Sequence, residues 1–168
     1  FRYVCFLDAD DLWLPEKISI QLGEMQRLNL AFSFGGWRHF GSFSSESDLG
    51  IYDRQPDITS FLKKEFVIGC VTVCIDKMLI PFVPSNTLRL RNDYKMWFDI
   101  IRHCENCNLS WGSIRSSLGL HRLHPGSLTA SRAEAVRAQF KFYRACGFNL
   151  VHSLFYMSFY IFRTIGTR

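Results

Sequence analysis

The chain is 168 residues long, which gives room for one compact domain with a sizeable core. Its residues are 48% hydrophobic, 15% aromatic and 21% charged, a composition that excludes intrinsic disorder, collagen-like repeats and a disulfide-stapled miniprotein. Lys and Arg total 20 against 15 Asp and Glu, leaving +5: suited to anionic substrates or an anionic membrane surface, and too small an excess to mark a nucleic-acid binder.

The chain opens on Phe1 inside an apolar run and is expected to be a piece of a longer protein. Residues 3–7 read as a buried strand that ends abruptly in the acids Asp8, Asp10 and Asp11. Pro15 suits a first helical turn, and Ile18, Leu22 and Met25 recur behind it, predicting a helix over 15–28 with those residues inward. A strand follows over 30–37, and 40–57, rich in Gly, Ser and Asp, reads as a surface loop. Asp57 can cap a short helix to about residue 65, residues 67–75 read as a second apolar strand interrupted by Gly69, and 77–90 are irregular. Tyr94, Trp97, Phe98 and Ile101 then define an amphipathic helix starting at Asp93. Residues 109–114 and 117–120 are strand candidates before a polar turn over 121–127. Ser131 and Glu134 have the spacing of a capping box for a helix that stops at Gly147, and an apolar helix over 148–162 closes the chain. That last segment is shorter than the roughly 20 residues a bilayer span needs. Strands mixed with helices indicate an α/β domain.

The six cysteines lie mostly in apolar surroundings, as reduced core cysteines do, and a cytoplasmic location is expected. Cys104 and Cys107 have zinc-like spacing without a second pair to complete a site. Two carboxylates two residues apart at a strand end, Asp8 and Asp10, can jointly hold a hard divalent cation and through it a diphosphate; the alternative is a solvated acidic turn with Asp11 capping the next helix. Asp93, at the start of its helix, is either held by free backbone N–H groups for chemistry or is a plain N-cap.

The run Tyr-Val-Cys-Phe-Leu-Asp-Ala-Asp-Asp-Leu-Trp-Leu-Pro-Glu-Lys-Ile-Ser-Ile-Gln-Leu over 3–22 resembles the metal-binding segment of family 2 glycosyltransferases. In the same order, Asn92-Asp93-Tyr94-Lys95-Met96-Trp97 resembles the family's acidic-Asp-Tyr-x-x-Trp element, and Leu120-His121-Arg122-Leu123-His124-Pro125-Gly126-Ser127-Leu128-Thr129 its Tyr-Arg-x-His-x-x-Ser close. The resemblance implies an incomplete GT-A (nucleotide-diphospho-sugar transferase) fold: a mixed sheet flanked by helices, with C-terminal helices, lacking the N-terminal nucleotide-binding half. On it, residues 1–130 are the C-terminal part of the catalytic domain, with the metal site and acceptor side, and 131–168 a helical extension suited to rest on the inner face of the plasma membrane.

It further implies inverting transfer from a nucleotide-sugar donor to a saccharide or lipid-linked acceptor, with Mg²⁺ or Mn²⁺ at Asp8 and Asp10 of a DXD motif and Asp93 as catalytic base. Arg122 and His124 are then expected at the donor diphosphate. Gly69-Cys70-Val71-Thr72 falls where the family places residues near the acceptor. Two positions depart from the pattern: Asn92 stands for the usual Glu and His121 for an aromatic residue. Haloacid-dehalogenase-like phosphohydrolases also place Asp-x-Asp after an apolar strand, but call for Thr where this chain has Leu12. A non-enzymatic alternative is a membrane-surface module resting on the +5 charge and the aromatic tail, flanked by Lys141, Arg144, Arg163 and Arg168.

Overall fold

The structure, a computed structural model, describes residues 1–41, 48–52, 56–82, 88–123 and 132–166. Its strands are β1 (Tyr3–Cys5), β2 (Leu12–Trp13), β3 (Leu30–Gly41), β4 (Cys74–Asp76) and β5 (Ser110–Leu123), and its helices α1 (Lys17–Leu28), α2 (Ile58–Leu62), α3 (Asn92–Asn106), α4 (Arg132–Ala145) and α5 (Leu150–Gly166). The strands form one mixed sheet in the order β1-β4-β3-β5-β2. The long central pair β3 and β5 is parallel, and every other pairing is antiparallel. β1 and β2, neighbours in sequence, lie at opposite edges, so residues 6–11 must cross the sheet, and this crossing carries the acids toward the end of β5.

Several expectations are corrected. The strand expected over 67–75 divides into a 3-10 turn at Cys70–Thr72 and the short β4, because Thr72 closes the turn through its N–H and hydroxyl to the Gly69 carbonyl. β3 continues four residues past Trp37, taking Phe40 out of the expected loop, and the two strand candidates after residue 109 are one strand, β5, with register shifts beside Gly35 and Gly36. His121 and Arg122 therefore stand on a strand rather than in a turn.

The inward face of α1 is also different. Ile18 is 39% exposed, whereas Lys17, Gln21 and Met25, spaced at i, i+4 and i+8, are buried. Gln21 Nε2 donates to the Thr72 carbonyl at 2.7 Å and to Ser33 Oγ at 2.9 Å, while its Oε1 is buried with no hydrogen-bond partner. Lys17 Nζ lies 4.3 Å from the Trp13 ring centroid. Asn29, in the left-handed conformation at φ 52°, ends the helix.

α3 matches its periodicity: Tyr94, Trp97, Phe98 and Ile101 are buried on one stripe. Trp97 is fully enclosed, with Phe6 edge-on at 5.3 Å and Phe32 of β3 stacked at 5.8 Å. The same buried cluster takes in Phe142 and Tyr143 of α4 and Met157 and Tyr160 of α5, so the C-terminal helices share the core of the sheet. Tyr143 donates its hydroxyl to the Leu62 carbonyl at 2.7 Å, joining α4 to α2. The expected cap Asp57 accepts the Ser60 N–H at 2.9 Å, while Ser131 of the expected capping box lies outside the described residues. All six cysteines are free, and Cys104 faces the core while Cys107 faces solvent, so the zinc-like pair diverges.

Candidate active site

A cavity of about 290 Å³ opens where the acid-bearing crossing, the far ends of β3 and β5, the 3-10 turn and the start of α3 meet. Trp37 walls one side. Its ring is closely approached by Gly69 and Gly50, where an added Cβ would come within 2.9 Å and 2.0 Å, and Gly50 also has φ +73°. A side chain at either glycine would displace the indole.

The acids arrive from two directions. Asp8 is exposed and lines the cavity. Asp11 also lines it but is only 5% exposed, its Oδ1 accepting the backbone N–H of Arg122 at 2.9 Å. Burial raises the Asp11 carboxyl above the usual carboxylate range, and the Arg122 N–H pulls it partly back. Asp10 is exposed and outside the cavity lining; its backbone carbonyl accepts from Arg122 Nε at 3.0 Å. Arg122 thus straps the acidic segment to β5, its guanidinium 4.4 Å from the Phe40 ring. His124 lies outside the described residues.

Asp93 reaches the cavity from the first turn of α3. The cap position falls on Arg91, at φ 65°, so Asp93 is not the capping residue. Burial raises its carboxyl above the ordinary range; the Tyr94 backbone N–H, Arg91 and Lys64 oppose that shift in that order. Both cations lie against the ring of Tyr94, Lys64 Nζ at 3.7 Å and Arg91 at 4.9 Å from its centroid. Lys64 is half-buried, and burial lowers its pKa well below the usual lysine range, with Arg91 adding repulsion. It too is left-handed, at φ 57°. Asn92 is exposed, outside the cavity lining, and accepts the Asp93 N–H at 2.8 Å.

Asp8, Asp11 and Asp93 converge electrostatically on Cys70 of the 3-10 turn, whose thiol is pushed up to about 12, first by burial and then by these carboxylates. His121 faces His39 across the parallel pair β3 and β5, with the two Nδ1 atoms 3.3 Å apart. Burial first and His121 second lower the pKa of His39. The sequence offered no signal for His39, because β3 was expected to end before it. Arg91 and Lys64 were hidden because left-handed backbone at a non-glycine residue leaves no sequence mark.

The sheet order and flanking helices define part of a GT-A-type glycosyltransferase fold. Staphylococcus aureus TarS, solved as residues 1–349 with UDP-GlcNAc, shares that fold with a TM-score of 0.58 at 9% identity, over 99% of this chain and 49% of that one. In sequence the chain is related to bacterial glycosyltransferases. It is 29% identical over 140 residues to WfgD of Escherichia coli, a UDP-Glc:α-D-GlcNAc-diphosphoundecaprenol β-1,3-glucosyltransferase, covering 82% of this chain and 52% of the relative. It is 27% identical over 143 residues to TuaG of Bacillus subtilis, a putative teichuronic acid biosynthesis glycosyltransferase, covering 85% and 55%. The chain therefore spans about half the length of these curated relatives. No protein-family profile matches it.

Proposed function

We propose that this chain is the metal- and acceptor-side part of an inverting family 2 glycosyltransferase of cell-surface polysaccharide or glycolipid synthesis. The observation that carries the reading is a single one: Asp8 of the acidic crossing and Asp93 of α3 line the same cavity. A nucleotide-sugar donor lies with its diphosphate toward Asp8 and Arg122, and a saccharide or lipid-linked acceptor approaches Asp93. Asp93 accepts the proton of the acceptor hydroxyl as that oxygen bonds to the anomeric carbon; the bond from that carbon to the diphosphate breaks, and one displacement inverts the centre. Burial favours this role, because it raises the base from the ordinary carboxylate range toward working pH.

The donor set suits a hard cation. Among the described residues no group of three or more His, Cys, Asp or Glu could cage a metal, and Mg²⁺ characteristically takes one or two carboxylates and completes its shell with water and substrate phosphates. Asp8 and Asp10 would hold it, and when bound it supplies charge stabilisation to the departing diphosphate. The test is release of nucleoside diphosphate by the full-length protein from a panel of sugar nucleotides, with Mg²⁺, Mn²⁺ or chelator. Cation-dependent release from one donor supports the reading; release unaffected by chelator rejects the metal, and no turnover or binding of any donor with candidate acceptors present rejects the transferase.

The same reading places α5 at a membrane surface. Among the described residues no helix is long and apolar enough to cross a membrane. Yet Leu150, Val151, Leu154, Phe155, Ile161 and Phe162 share an outward stripe, with Val151 73% and Phe162 78% exposed. Lys141, Arg144 and Arg163 are exposed near it, as contact with anionic lipid requires. The triple variant Val151→Ser, Phe155→Ser, Phe162→Ser should lose sedimentation with phosphatidylglycerol vesicles while keeping its circular-dichroism spectrum; undiminished sedimentation would remove α5 from the account.

A further inference from the structure

On the face of the sheet covered by α1, away from the candidate active site, two cysteines stand directly opposite one another. The antiparallel register of β1 and β4 pairs Cys5 with Cys74. Opposed residues of such a pair have Cα atoms about 4.5–5.5 Å apart and side chains on one face, within the span a disulfide bridges. Cys74 is fully buried beside Met25, Leu30 and Ile114; Cys5, on the edge strand, is partly exposed.

The first residue of α1 supplies the third group. Lys17 is 1% exposed, its Nζ 3.4 Å from the carbonyl of Val73, the residue before Cys74, and its charge acts on the Cys5 thiol. Among the described residues no ion pair joins Lys17 to a carboxylate. A buried ammonium with no carboxylate counter-ion favours a nearby anion, and the group that can become one is Cys5. Asp76, the other charge felt by Cys74, is engaged by Arg2 at 2.7 Å.

We propose that Cys5, Cys74 and Lys17 form a redox-responsive thiol site, in which Lys17 holds Cys5 as a reactive thiolate and Cys74 resolves its oxidation to a disulfide. The ligand class is an electrophile or a low-molecular-weight disulfide. The Cys5 thiolate attacks one sulfur of the external disulfide, forming a mixed disulfide and expelling one thiolate, which takes up a proton. Cys74, losing its proton, attacks the Cys5 sulfur, forms the Cys5–Cys74 bond and expels the second external thiolate, which is protonated in turn. Two protein thiols are oxidised and one external disulfide is reduced to two thiols. The electrostatics agree: hydrogen bonding from Cys74, then the charge of Lys17, outweigh burial and lower the Cys5 thiol to about 6, while Cys74 is raised. This site is independent of the transfer reading and stands or falls without it.

The experiment treats the whole chain with oxidised glutathione, blocks remaining thiols with N-ethylmaleimide and maps peptides without reduction. A Cys5–Cys74 cross-link is expected as the main product; Cys5 held only as its glutathione adduct, or scrambled links, would overturn the resolving role. Iodoacetamide alkylation at pH 7 should mark Cys5 faster than exposed Cys107, and Lys17→Met should slow Cys5 about tenfold while leaving Cys107 unchanged. Should Lys17→Met fail to fold, the unmutated chain decides: alkylation of Cys5 half-maximal near pH 6 supports the site, and half-maximal near the ordinary thiol value of about 8.5 rejects it.

Discussion

The two cavity carboxylates that burial perturbs, Asp11 and Asp93, are each met first by a backbone N–H and differ in the charges that stand beside it. Asp11 is answered chiefly by a backbone donor, the Arg122 N–H of β5, and sits in a segment dense with like charge, Asp8 and Asp10. Asp93 is answered by a helix start and two side-chain cations, Arg91 and Lys64, spread over Tyr94. A strand N–H fixes a carboxylate in place and so suits architecture. A helix start beside two side-chain cations holds the Asp93 carboxylate at the cavity, where it can take up a proton, and so suits a base.

The largest effect should come from Asp93→Asn, which removes the proposed base and is expected to lower kcat of the full-length protein at least about 100-fold in nucleoside diphosphate release, with folding intact by circular dichroism. Near-normal turnover would move the base elsewhere. Next is Asp11→Ala, which strands the Arg122 N–H and is expected to cost about 1–3 kcal/mol in a urea titration. Asp8→Asn, exposed, should change the same titration by no more than about 0.5 kcal/mol. If the two carboxylates move stability equally, the division between architectural and chemical acids is lost.

The pH dependence sharpens the contrast further. On the proposed reading Asp93 works ionised, so activity should fall as pH drops through its raised pKa, with an acid limb above the free Asp value of about 3.9. Lys64 lowers that pKa, so Lys64→Gly should raise it and shift the limb of the kcat/KM profile to higher pH. Because Lys64 is left-handed, glycine there should hold or raise the melting temperature. A limb that moves to lower pH would contradict the role given to Lys64.

How much was legible follows the range of the forces involved. α3 was readable because its stripe of Tyr94, Trp97, Phe98 and Ile101 is local and apolar, and Asp57 because capping acts within one turn. The inward face of α1 was not, since burying Lys17 and Gln21 depends on Val73, Ser33 and Thr72, distant in sequence. The acid motif was visible, but that Asp11 rather than Asp10 turns into the cavity depends on a strand more than a hundred residues later. The pairing of His39 with His121 rests on the β3–β5 register, which no single strand encodes.

The most direct measurement sets donor affinity beside turnover for Asp8→Asn and Asp93→Asn in the full-length protein, with Mn²⁺ present. If the acids divide the work as argued, Asp8→Asn weakens donor binding, whereas Asp93→Asn binds the donor normally and fails to transfer. Equal loss of binding in both, or turnover preserved in Asp93→Asn, would contradict the account.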